Sequence, residues 1–189
     1  IATNPQRVFG ADIMTRIDYC RKNGIEELNR VLITEINKMI DVSEMQKPLD
    51  MYVSGNVTML HTFFNVDCSS IGVLPYKAQF LESKTEKGKS LGLEKVENVV
   101  SLPSIHSFVG ADIVAGMNYI GFPENGKYNL LVDLGTNAEI VLYSNNSAIC
   151  TSAAAGPCFE GANISCGMSA TDGAIYNFSR KNGQMEIAT

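Results

Sequence analysis

Hydrophobic and polar residues recur along this chain with two different periods, and the changes of period mark its elements. In Gly10–Lys22 the apolar positions Ile13, Met14, Ile17 and Cys20 or Tyr19 fall at helical spacing, and Asn23-Gly24 supplies a C-terminal stop. A longer helix is predicted from Ile25 to Met45, with Leu28, Leu32, Ile36, Met39 and Ile40 on one face and Pro48 beyond its end. Asp50–Val53 reads as a short buried strand running into Ser54-Gly55-Asn56-Val57-Thr58, after which Met59–Phe64 is helical in pattern. Asp67–Glu97 is the least patterned stretch; within it Glu82–Ser90, charged and poor in apolar residues, predicts a solvated loop or hairpin. Asn98–Leu102 reads as strand, Gly110–Tyr119 as helix and Phe122–Gly126 as loop. Period two then takes over. Leu130–Leu142 is a strand-turn-strand, Ala148–Thr151 a third strand, and Ala174–Phe178 with Met185–Ala188 a last hairpin, with a short helix predicted around Phe159–Asn163. Strands alternating with helices, followed by a meander, predict an α/β lobe whose mixed sheet carries flanking helices.

Composition narrows the class. A length of 189 residues suits one domain or a part of something larger, and 45% hydrophobic residues with a mean hydropathy of +0.02 allow a sizeable core. A net charge of −5 argues against nucleic-acid binding by phosphate neutralisation. No apolar run approaches the roughly 20 residues needed to cross a bilayer, and the first residues lack a secretory pattern. Five cysteines, an odd count, point to reduced thiols in a cytoplasmic protein. Cys150, Cys158 and Cys166 are evenly spaced, but no Cys-x-x-Cys pair accompanies them and His61 and His106 lie far upstream. Buried structural thiols are expected there rather than a metal site. Both ends read as cut: patterning begins at once after Ile1, and Thr189 closes an unfinished strand, so an excised piece of a longer protein is expected.

The densest chemistry lies in Asn129–Val141. An apolar strand delivers the carboxylate of Asp133 to the turn Leu134-Gly135-Thr136-Asn137, and a second strand returns from Glu139. An acid at the end of an apolar strand is costly unless it has work to do. Gly135 allows close approach of an anion to the backbone, and Thr136 and Asn137 add a hydroxyl and an amide. These are the parts of a phosphate and Mg²⁺ clamp. They are equally the parts of an ordinary hairpin with a polar turn.

Other motifs are ambiguous in the same way. Ser54-Gly55-Asn56-Val57-Thr58-Met59 joins a strand to a helix, offering amides to an anion or a plain helix cap. Asp12 and Asp112 follow glycines at helix starts, where a cap or dipole partner contributes about 0.3–1 kcal/mol without any further role. Ala153–Ala162 sets small residues, including Gly156, before Glu160, which either faces a metal or caps its own helix.

Taken together, Asn4–Asp12, Gly55–His61, Ser107–Asp112, Val132–Glu139 and Ala155–Ala162 resemble, in this order, the C-terminal domain of ATP-dependent reductive activators of corrinoid proteins. Those proteins belong to the ASKHA superfamily of acetate and sugar kinases, Hsp70 and actin. The resemblance runs from about Asn4 to Ile175 and implies a partial ASKHA lobe spanning 1–189 as one domain truncated at both ends, with a possible subdivision near 98–126. It departs from the family pattern at Ala138, where glycine is usual, and at Cys158, where a smaller residue is usual.

The resemblance implies ATP and Mg²⁺ as cofactors, with a [2Fe–2S] cluster only in a part of the full-length protein outside this chain. The activity implied is an ATP-driven return of Co(II) corrinoid to Co(I), with a corrinoid protein as partner and a homodimer as the full-length form. On that basis Asp133 is the metal- or water-positioning carboxylate, and Glu139 and Glu160 are further catalytic candidates. Gly135, Thr136, Asn137, Gly55, Asn56, Thr58 and Gly156 are the nucleotide-binding candidates. Half of a cleft is expected to bind ATP weakly or not at all. Two alternatives rest on other residues: a docking or dimerisation module presenting Ile25–Met45 and Lys84–Lys89, or a small-molecule kinase with Asp112 as general base.

Overall fold

The computed structural model describes residues 3–43, 47–124, 126–156, 165–168, 173–181 and 183–189. The chain divides into two compact units, Ile1–Phe122 and Pro123–Thr189.

The first unit opens with a 3-10 turn, Pro5–Phe9, capped by Asn4 accepting from the Gln6 amide. Helix α1 (Ile13–Asn23) begins at Asp12. Its carboxylate accepts from the Thr15 amide, and the Thr15 hydroxyl accepts from the Asp12 amide, a reciprocal capping box that satisfies two orphan donors. Helix α2 spans Glu26–Val42; Met45, its expected end, lies outside the described residues. The buried residues of α2 are Leu28, Ile33 and Ile40, while Met39 is exposed, so the predicted face is rotated toward Ile33. The cause is that α2 serves two cores. Leu28 packs with Ile17, Cys20 and Ile71, whereas Ile33 and Ile40 pack with Leu60, Phe63 and Val99. Each fully buried aliphatic side chain contributes about 1.5–3 kcal/mol.

Strand β1 (Leu49–Val53) runs parallel to β3 (Val96–Ser101), and β2 (Thr85–Lys87) pairs antiparallel with β3, giving the order β1-β3-β2. The sheet is mixed, as the alternation of elements predicts. All three residues of β2 are exposed, so the charged stretch read as loop or hairpin forms a solvated edge strand, where Lys and Glu discourage further pairing. Helices α3 (Val57–Phe63) and α4 (Ala111–Ile120) complete the unit, and Leu60, Phe63 and Ala111 reach the core formed with the sheet.

The regular elements of the second unit are strands among its described residues. Strands β4 (Asn129–Leu134), β5 (Asn137–Tyr143) and β6 (Ala148–Ala154) form an antiparallel meander, and β7 (Asn177–Lys181) pairs with β8 (Gln184–Ala188). β6 continues three residues past the expected Thr151. The last hairpin is tighter than expected: β7 runs Asn177–Lys181 rather than Ala174–Phe178, and Lys181 pairs with Gln184. Gly183, just before β8, stands at φ +82°, the left-handed backbone that a short connection favours. The helix expected around Phe159–Asn163 lies outside the described residues.

The meander has two unlike faces. One presents Leu130, Val132, Leu142 and Ile149, all exposed. The other carries Val141 and Tyr143, both fully buried. The expectation of buried thiols among the evenly spaced cysteines is not met where they are described: Cys166 is exposed and Cys150 is half-buried, while Cys158 lies outside the described residues; the buried thiols are Cys20 and Cys68. Cys150 sits on β6, which among the described residues pairs with β5 alone. Among the described residues no helix is long and apolar enough to cross a membrane.

Candidate functional site

Register brings three side chains into one row. Asp133 on β4 pairs with Glu139 on β5, and Glu139 pairs with Ser152 on β6. Directly paired residues project from the same face of a sheet, so carboxylate, carboxylate and hydroxyl stand side by side. The Ser152 hydroxyl donates to Glu139 Oε1 at 3.0 Å. Along this face exposure rises toward the β4–β5 turn: Tyr143 and Val141 are sealed, Glu139 is half-buried and Asp133 is exposed. The acid at the strand's end therefore faces solvent and not a packed interior.

The turn is held from two sides. The Gly135 amide donates to the Asn137 carbonyl at 2.8 Å, and the Thr136 carbonyl accepts from the amides of Ala155 (3.1 Å) and Gly156 (2.9 Å). The end of β6 thus clasps the tip of the β4–β5 hairpin, which places Gly156 beside Thr136. Gly156 stands at φ +86°, where glycine is favoured. The amides of Gly135 and Gly156 are committed to chain carbonyls, so the groups at the tip with acceptors or donors on side chains are Thr136 and Asn137, the latter exposed. Glu160 lies outside the described residues.

The motifs of the first unit interlock with each other. Asn56 caps α3 by accepting from the Met59 amide at 2.9 Å, and the Gly55 carbonyl accepts from the Ala111 amide at 3.0 Å. A Cβ on Gly110 would lie 2.6 Å from Asn56 Cα, which shows how closely the starts of α3 and α4 meet. Thr58 is buried. Gly55 and Asn56 thus have structural work in joining two helices, and Asp112 accepts from the Ile113 amide in the first turn of α4. A cleft of about 520 Å³ runs between α2, β1 and α3 and reaches Ser54 and Gly55. Its walls are Leu32, Ile36, Met51, Val53 and Phe63, an apolar lining that suits no phosphate.

Sequence reasoning missed two polar residues. Ser152 gives no local signal; only strand register reveals it. His61 is fully buried and stacks on Phe80 with ring centroids 4.4 Å apart. Its Nε2 accepts from the Gln79 amide at 3.0 Å, which fixes the proton on Nδ1, donated to the Val57 carbonyl at 2.8 Å. Burial, opposed by the Val57 bond, lowers its pKa and keeps the ring neutral. Among the described residues no group of three or more His, Cys, Asp or Glu is placed to hold a metal ion.

An α/β chain bearing a carboxylate-tipped antiparallel meander is the class these features define. Comparison with known proteins takes this further. Residues 1–125 match the family described as RACo middle region, and residues 127–189 match the C-terminal domain of RACo, the ASKHA domain. The chain belongs to the RACo family, running from its middle region into its ASKHA domain. It is 31% identical over 194 residues to the corrinoid activation enzyme RamQ of Eubacterium limosum, covering 96% of this chain and 32% of that protein. It is 30% identical over 191 residues to the [Co(II) methylated amine-specific corrinoid protein] reductase of Methanosarcina barkeri, covering 88% of this chain and 33% of the relative. Among solved structures, a reductive activator for corrinoid, iron–sulfur protein is similar with a TM-score of 0.80 and 31% identity, covering 98% of this chain and 32% of that one. The chain therefore spans about a third of the length of these relatives.

Proposed function

We propose that this chain carries part of the nucleotide grip of an ATP-dependent activator, which supports return of a Co(II) corrinoid to Co(I) on a partner corrinoid protein. Membership of the RACo family supports the activity, as do the relatives named for corrinoid activation and Co(II) corrinoid protein reduction. The observation that carries the reading is the Asp133–Glu139 pair at the open end of the meander. Two carboxylates directly opposite repel each other, a cost that a cation would remove. Oxygen donors suit Mg²⁺, which is commonly held by one or two carboxylates together with phosphates and water, so a pair fits where a full protein cage is absent. Mg²⁺ would supply charge neutralisation for the β- and γ-phosphates.

In this reading Asp133 orients the hydrated cation or the attacking water, and Glu139 supports it. Thr136 and Asn137 meet phosphate oxygens, and Gly135 and Gly156 let the backbone come close. Gly55 and Asn56 contribute by bracing α3 against α4, with Thr58 buried in the first turn of α3. Glu160 belongs to the same set through the family resemblance. Differential contacts of ATP and ADP would bias a conformational equilibrium of the full-length protein, a homodimer in the cytoplasm, with electrons supplied by an iron–sulfur cluster outside residues 1–189.

The test is Asp133→Ala in the full-length protein. ATP turnover is expected to fall at least a hundredfold with the circular dichroism spectrum and melting temperature retained. Turnover within a few fold of wild type would remove Asp133 from the mechanism.

A further inference from the structure

We infer that Ser152 is a positioning residue of this ribbon, holding the Glu139 carboxylate on the β6 side so that it and Asp133 act as two separated donors toward one cation–nucleotide complex. The inference rests on the reading of Asp133 and Glu139 as the cation-facing pair.

Strand order supplies the geometry. β5 lies between β4 and β6, so Ser152 stands on the opposite side of Glu139 from Asp133. Paired residues place their Cβ atoms about 4.5–5.5 Å apart, close enough for the two side chains to swing toward each other and crowd one position. The Ser152 hydroxyl, 3.0 Å from Glu139 Oε1, opposes this. A donor on the far strand draws the Glu139 carboxylate away from Asp133 and fixes the direction of one of its oxygens. Neighbouring side chains on β6 cannot substitute. Ala153 and Ala154 carry no donor, and Thr151 pairs with Ile140, which places it on the other face. One hydroxyl, at the row that contains both acids, is what the strand provides.

The experiment uses the full-length protein with Mn²⁺ and ADP as probes, free Mn²⁺ being counted by electron paramagnetic resonance, so that no turnover is needed. Ser152→Ala is expected to weaken Mn²⁺ binding in the presence of ADP about tenfold, the loss of one charge-assisted hydrogen bond at a half-buried pair. Ser152→Thr, which keeps the hydroxyl, is expected to stay within about twofold of wild type. ATP turnover by Ser152→Ala should require more Mg²⁺ and recover when Mg²⁺ is saturating, a split that general loosening of the strand would not produce. Should the alanine variant fail to fold, Ser152→Cys, similar in size and a weak donor, is expected to show the same loss. Wild-type Mn²⁺ affinity in the alanine or cysteine variant, with Asp133→Asn and Glu139→Gln both weakened, overturns the role of Ser152 and leaves the cation-facing pair standing. Wild-type affinity in all of them overturns both.

Discussion

Asp133 faces Glu139 directly across the β4–β5 ladder, two like charges in register at the end of a meander that is apolar on its other face. Like charges directly opposite in a sheet are destabilising by a few tenths to about 1 kcal/mol. Asp133→Asn removes one of them while conserving shape. Without nucleotide or divalent cation, this variant should be more stable than wild type by up to about 1 kcal/mol, and the difference should shrink as salt screens the pair. Urea denaturation at low and high ionic strength reads both effects. A gain in stability coupled to a loss of turnover is what a residue retained for function predicts. A clear loss of stability would mean that Asp133 makes favourable contacts in the ligand-free ribbon and is not held in reserve for a cation.

His61 makes stability depend on pH, and the sign follows from its hydrogen bonds. Both ring nitrogens are engaged, with Nε2 as an acceptor, so protonation would place an N–H against the Gln79 amide inside the core. Burial lowers the folded-state pKa below the unfolded value of about 6.5. Below pH 6.5 the unfolded chain therefore binds a proton that the folded chain does not. The contribution is complete above pH 6.5 and is lost as pH falls from there toward the depressed folded value, with a slope of at most about 1.4 kcal/mol per pH unit. Urea midpoints at pH 7.5 and pH 5.5 should separate for wild type. His61→Gln, which cannot take up a proton in this range, should be less stable at pH 7.5 but should lose less on acidification. Equal acid sensitivity in the two proteins would assign the effect to other groups.

Local pattern made most of the fold legible. The helix starts at Asp12 and Asn56 could be read as caps because capping is local chemistry within three residues, and the geometry bears that out. The limits of legibility are equally physical. Met39 and Ile33 exchanged roles because α2 packs against two cores, a tertiary fact that a single helical wheel cannot hold. The clasp from Ala155 and Gly156 onto the Thr136 carbonyl joins residues about twenty apart through strand register. Ser152 is invisible for the same reason: a serine among alanines carries no signal until β6 is aligned on β5. For the site, the carboxylate-tipped turn was legible, whereas the commitment of the Gly135 amide to its own turn was not.

Two glycines separate steric need from conformational need. Gly110 has no unusual φ requirement, yet a Cβ there would meet Asn56 Cα at 2.6 Å and the Gly55 carbonyl oxygen at 2.7 Å, both backbone atoms that cannot swing aside. Gly110→Ala should force the starts of α3 and α4 apart, break the Ala111-to-Gly55 hydrogen bond and cost about 3 kcal/mol or more. Gly156 is the reverse case. Among the described residues nothing lies within 4 Å of its would-be Cβ, but φ is +86°. Gly156→Ala should cost only the backbone penalty of about 1–2 kcal/mol, with no loss of packing. Denaturation of both variants decides the matter, and Gly156→Asn adds a control, because asparagine tolerates the left-handed region and should recover part of the loss. If Gly110→Ala is the milder of the two, the helix starts are not in contact as described, and the motif at Gly55-Asn56 is free to serve something other than the joint between α3 and α4.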